Sequence, residues 1–139
     1  MKKVLRALVL AITILLAVIF VMIGFSKLAG ESSVRWAARF AHWGYPALLR
    51  PIVGAVEMIG GIALLLPRAT RPAAASLMVV MAGACYTHLS HQEPLRIGPC
   101  LVLGALLILI WRQPLRQPHT TVFGRVRQTV RSQRTERRT

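Results

Sequence analysis

The sequence predicts an all-α membrane protein, a four-transmembrane-helix bundle with a short interfacial amphipathic helix and a basic cytoplasmic tail. Three observations carry this reading. Hydrophobic residues make up 55% of the 139, more than a soluble domain of this length can bury. They gather into long runs with few charges. The basic residues, which give a net charge of +14, concentrate at the chain start, in one short loop and in the tail.

The first span covers about residues 4–25, and its stretch Ala7 to Phe25 is uncharged. A bilayer core is crossed by a helix of roughly 20 apolar residues, which this stretch nearly supplies by itself. Lys2, Lys3 and Arg6 resemble the start of a signal peptide, but the apolar run exceeds the usual ~7–15 residues and no small-x-small site follows Phe25. The segment is therefore read as a retained span. The second span, about 47–66, has Glu57 as its one acid. The third, about 72–89, holds no formal charge. The fourth, about 95–111, has an apolar run from Ile97 to Trp111 of only about 22 Å. Leu95 and a snorkelling Arg96 extend it. Residues 1–111 thus form the membrane domain and 112–139 an Arg-rich tail.

Most of the eighteen Lys and Arg residues fall on one side of this arrangement, namely Lys2, Lys3, Arg6, Arg68, Arg71 and the tail arginines from Arg112 to Arg138. The positive-inside rule makes that side cytoplasmic, and an even number of spans puts both termini there. The protein is accordingly expected in the cell membrane. Nucleic acid is not the expected partner, because the excess charge is a juxtamembrane tail. Val122, Val126 and Val130 recur every four residues among its arginines. The tail either lies on anionic lipids of the inner leaflet or remains a solvated segment that enforces topology.

Between spans one and two, about residues 32–43 form the interfacial helix. Glu31-Ser32-Ser33 suits a helix start, with Ser as N-cap and an acid in the first turn. Trp36, Phe40 and Trp43 then follow at helical spacing, with Arg35, Arg39 and His42 on a neighbouring stripe. This helix either lies in the outer interface or caps the bundle mouth. Gly44 and Pro46 end it.

Glu57 is the most informative single residue. An acid inside a span costs on the order of 2.5–3.5 kcal/mol on insertion scales, and such residues usually face the bundle and carry function. Gly54 and Gly61 share its helical face and allow close helix approach. The alternative is a hydrogen-bonded acid that only locks packing. Lys27 ends span one, and from there it reaches a Glu57 that lies about 9 Å deep in span two; otherwise it is a snorkelling anchor. His88 sits at the outer end of span three, either as a proton-handling group or as an ordinary interfacial residue. Cys85 and Cys100 lie at similar depth across a hairpin, as a candidate redox pair or as two plain buried thiols. No metal-ligand spacing, C-x-x-C, P-loop or nucleophile elbow is present.

Three blocks of sequence carry a resemblance. Gly24-Phe25-Ser26-Lys27-Leu28-Ala29-Gly30 looks like the G-x-x-K-L-x-G signature of the DoxX family. Gly44-Tyr45-Pro46, then Gly54 to Gly61 and Leu66-Pro67, is similar to that family's second span. Gly83-Ala84 with Thr87-His88-Leu89 resembles the end of its third span, especially in the DoxX-like branch. The resemblance runs from about Phe20 to His91 and excludes the tail. It implies a four-helix membrane bundle. The family is named after a membrane subunit linked to quinone-dependent oxidation of sulfur compounds, and some relatives are associated with oxidative-stress and thiol systems. Lys27, Glu57 and His88 match its recurring polar positions, which makes them the candidate catalytic residues if the chain is an enzyme.

Two functions of different class follow. One is a small accessory, binding or assembly subunit that holds a lipid-like or quinone-like ligand or a partner helix. The other is a membrane subunit of a quinone-linked oxidoreductase, with membrane or redox proteins as partners and quinone as the candidate cofactor.

Overall fold

The computed structural model describes residues 2–112. Nearly all of them are helical, in the order α1 (Lys2–Leu28), α2 (Gly30–His42), α3 (Leu49–Leu64), α4 (Thr70–Ser90) and α5 (Pro94–Trp111), and no strand occurs among the described residues. The tail expected beyond Arg112 lies outside them. Three helices, Lys3–Leu28, Thr70–Ser90 and Pro94–Trp111, are long and apolar enough to cross a membrane.

The second expected span is shorter than its apolar run. Helix α3 has 16 residues and stops at Leu64. Leu65 and Leu66 donate their N–H groups to the carbonyls of Ile62 and Ala63, three residues back, so the last turn tightens ahead of Pro67. At its start, Pro51 occupies the first turn, where a missing N–H costs nothing. Helix α1, by contrast, is longer than expected and includes Lys27 in its last turn.

Helix α1 packs along α3, α3 along α4, and α4 along α5, while α2 rests on α1 and α3. The α1–α3 seam is built on glycine. A Cβ on Gly24 would stand 2.5 Å from the Gly54 carbonyl oxygen and 2.6 Å from the Met58 nitrogen. One on Gly61 would stand 2.9 Å from the Ala17 carbonyl oxygen. The rising contacts in α3 meet falling numbers in α1, so the two helices run antiparallel at backbone contact distance. Away from α2, the bundle closes around an apolar core of Leu16, Phe20, Leu64, Ala74, Leu77 and Leu107.

The start of α2 departs from the sequence reading. Ser32 and Ser33 lie inside the helix, which begins at Gly30 with Ala29 as its uncapped N-cap. Ser33 Oγ instead donates back to the Gly30 carbonyl at 2.9 Å. Gly30 has φ +70°, the left-handed turn that lets the chain leave α1 and enter α2 at once. Thus glycine, and not a serine cap, sets this boundary. The other end of α2 closes as a Schellman turn: Tyr45 N–H donates to Phe40 and Gly44 N–H to Ala41, with Gly44 at φ +74°. Helix α4 ends the same way, through Glu93 to His88 and Gln92 to Leu89, but the left-handed position is held by Gln92 at φ 55°.

Candidate functional site

The polar side chains converge at the end of the bundle that α2 covers. The glycine seam brings the last turn of α1 onto the first turns of α3, with Lys27 Cβ 3.0 Å from where a Cβ on Gly54 would stand. One turn further along α3, Glu57 receives a hydrogen bond from Lys27 Nζ in an ion pair whose side chains are 6% and 3% exposed. Arg50 reaches across from the start of α3 and donates to the Lys27 carbonyl, one of the acceptors left open at the end of α1. Its positive charge there also suits the negative end of the helix dipole.

Helix α2 roofs this pair. The Trp36 ring lies 4.6 Å from Lys27 Nζ, a cation–π contact. Trp36 is itself fixed, because its indole N–H donates to Ser26 Oγ at 3.1 Å. The expected stripe of Trp36, Phe40 and Trp43 forms, with ring centroids 6.4 Å and 5.5 Å apart along it. Phe40 is buried, so α2 packs down as a cap at least along this stripe.

His88 belongs to a neighbouring cluster. Its ring stands 5.5 Å from that of Trp43, and its Nδ1–H donates to Glu93 Oε2 at 2.7 Å. Arg96 approaches the same carboxylate at 3.4 Å. The Glu93 carboxyl is held below its ordinary value, first by the His88 hydrogen bond, with burial working against it and the charges of Arg96, His88 and Arg39 adding to it. Tyr45 ties the roof to α4. Since Thr87 Oγ1 donates to the Gly83 carbonyl at 2.9 Å, Tyr45 OH is the donor in its 2.8 Å bond with Thr87. Trp43 Nε1 is buried with no acceptor among the described residues.

The structure therefore brings Lys27 and Glu57 together and joins His88 to them only through the aromatic roof, with Glu93 as its own partner. Cys85 and Cys100 are free thiols that interact with each other across the α4–α5 hairpin, and Lys27 lies near enough to Cys100 to interact with it electrostatically. Cys100 Sγ also faces the Arg96 carbonyl at 3.4 Å. Sequence reasoning gave Arg50 no role beyond lengthening span two, and did not connect Trp36 with Lys27 or Tyr45 with Thr87. The available signal was register: Arg50 stands at the start of α3 and Lys27 at the end of α1, the ends that an antiparallel pair brings together. Beside Trp36 is an open cleft of about 220 Å³ lined by Ser26, Ser32, Arg35, Trp36 and Arg39.

No curated protein and no solved structure matches the chain. The sequence pattern of the DoxX-like family, however, matches residues 11–110. That range takes in most of α1, the whole roof and all but the last residue of α5, with Lys27, Glu57, His88 and both cysteines inside it. Together with its long apolar helices, this establishes the chain as a membrane protein that belongs to the DoxX-like family.

Proposed function

We propose that this protein crosses the cell membrane four times, through α1, α3, α4 and α5, with both termini in the cytoplasm and α2 at the outer mouth. In this reading it is a small accessory subunit that holds a lipid-like or quinone-like molecule by its polar head at that mouth. The fourth crossing is supported by α3 lying antiparallel to α1 at backbone contact, which keeps it at the depth of its partners. The cytoplasmic side is supported by the basic residues of the chain start, the Arg68 and Arg71 loop, and the tail.

One observation carries the binding role, the Lys27–Glu57 pair buried under Trp36. Desolvating such a pair costs several kcal/mol per ion, and apolar side chains would fill the same space at less cost. An ionisable pair kept within a span is the pattern of a ligand or proton site. The buried Trp43 N–H adds a donor without an acceptor among the described residues, which a ligand carbonyl would satisfy. The test is purification in mild detergent with mass spectrometry of co-purifying quinones and lipids. The wild type is expected to carry one such species and Glu57→Gln to fold but lose it. Equal recovery from both would reject the role. Reporter fusions at Ser33 and Gln92 should read external and one at Ala69 cytoplasmic. A cytoplasmic reading at Gln92 would remove the crossing by α5.

The adjacent thiols favour a second reading, a membrane subunit of a quinone-linked oxidoreductase acting in sulfur or thiol redox or in oxidative-stress response. Cys85 and Cys100 would pass two electrons and two protons to a quinone and form a disulfide. Adding quinone to reduced protein should then abolish thiol labelling of both residues. Full labelling after quinone treatment would leave them as structural thiols.

A further inference from the structure

The cleft beside Trp36 has a chemistry of its own. Arg35 and Arg39 stand four residues apart, so their side chains share one face of α2. Each is oriented by a neutral neighbour. Arg35 Nη2 donates to Ser32 Oγ at 3.0 Å, and the Arg39 guanidinium lies 5.2 Å from the Trp36 ring. Neither enters an ion pair among the described residues. Glu57 is occupied by Lys27, and Glu93 by His88 and Arg96, although Arg39 lies within the field of Glu93. Glu31 is exposed at the start of α2 and pairs with neither arginine.

The hydroxyls differ in what they offer. Ser26 Oγ donates its proton to the Ile23 carbonyl at 2.7 Å and accepts from Trp36, so it is spent. Ser32 Oγ accepts from Arg35 and keeps its own proton for a ligand. Two planar guanidinium groups and one free hydroxyl donor around an open cleft suit an oxyanion, which arginine binds by paired N–H donors.

The surface leading away from the cleft indicates the source of that oxyanion. From Ser26 back along α1, Met22, Val18 and Leu15 recur on one face and are 67%, 51% and 57% exposed. From Ser26 to Leu15 this face runs about 16 Å, close to half of the roughly 30 Å hydrocarbon core, or one leaflet. We propose that the cleft binds the phosphate of an anionic phospholipid, with an acyl chain lying along Met22, Val18 and Leu15. This rests on reading the α2 end as a ligand site. Glu57→Gln tests that reading with both arginines intact, so the two fail separately.

The experiment uses the full chain in neutral detergent, titrated with short-chain phosphatidylglycerol while its thermal midpoint is followed. The expected result is a saturable rise in midpoint, with Arg35→Gln/Arg39→Gln weakening the apparent affinity about tenfold or more. Arg68→Gln, which removes a charge from the opposite end of the bundle, should leave the titration unchanged. Diacylglycerol with the same chains, lacking the phosphate, should not stabilise. Inorganic phosphate acting through the same arginines at equal concentration would overturn the lipid assignment in favour of a free anion. An unchanged titration in the folded double variant, or equal stabilisation by diacylglycerol, would overturn the site itself.

Discussion

The two ends of the bundle are held together by different physics. At the end away from α2, Leu16, Phe20, Leu64, Ala74, Leu77 and Leu107 are buried with almost no polar atoms among them. At the α2 end, the contacts are an ion pair between α1 and α3, a cation–π contact from α2, and bonds from Tyr45 to Thr87 and His88 to Glu93. Contacts of the first kind have no preferred direction and tolerate changes that conserve volume. Contacts of the second kind come in matched sets, where losing one partner strands the other. The glycine seam joins the two regions and holds them in register. The apolar end thus specifies that the helices pack, and the polar end specifies which atoms face one another.

The sharpest way to break this contrast is at the ion pair. Glu57→Leu should cost about 3–5 kcal/mol, because Lys27 is left charged and buried. The double variant Lys27→Met/Glu57→Leu should recover most of that loss in a thermal melt in detergent. A double variant as damaged as the single one would mean that the pair is worth more than its desolvation. The seam comes next. Gly24→Ala drives a methyl group into the α3 backbone and should cost about 1–3 kcal/mol, since no side chain there can move aside. A neutral result would show that α1 and α3 separate without penalty. Tyr45→Phe removes only the bond to Thr87 and should cost about 1 kcal/mol.

Smaller effects belong to the α4–α5 turn. Gln92→Gly relieves the left-handed backbone at φ 55° and should raise stability by about 0.5–1 kcal/mol. No gain would imply that the Gln92 side chain contributes as much as its backbone costs. Glu93 supplies the pH dependence. Its carboxyl is held below the ordinary 4.5, chiefly by the His88 hydrogen bond, so it supports the fold fully above that value. The support is lost as pH falls through 4.5 towards the lowered folded value. The midpoint of Glu93→Gln should therefore vary less over that acid range than that of the wild type.

The reach of the sequence followed the same division. The positions of the long apolar helices were legible because charge-free runs mark them, and the observed bounds of α4 and α5 lie within about two residues of the apolar segments read from the sequence. Position along the apolar runs also pointed from Lys27 to Glu57, since both lie towards the same end of the packed helices α1 and α3. Azimuth was less accessible. That Trp36 covers Lys27, that Arg50 reaches the Lys27 carbonyl and that Cys85 meets Cys100 depend on how each helix is rotated, and hydropathy does not record rotation. The start of α2 was misjudged for a local reason. Serine is a good cap in isolation, but Gly30 already makes the turn two residues earlier, so no cap was required.

The bond from Tyr45 to Thr87 spans 42 residues of chain. A polypeptide is made from its N-terminus, so α1, α2 and α3 exist while Thr87 has yet to be translated. The newly made half can already join Lys27 to Glu57, because both lie within its first three helices. It has no means of fastening Tyr45 until α4 arrives. A chain halted before Thr87 would hold both members of the ion pair but lack the acceptor that latches Tyr45.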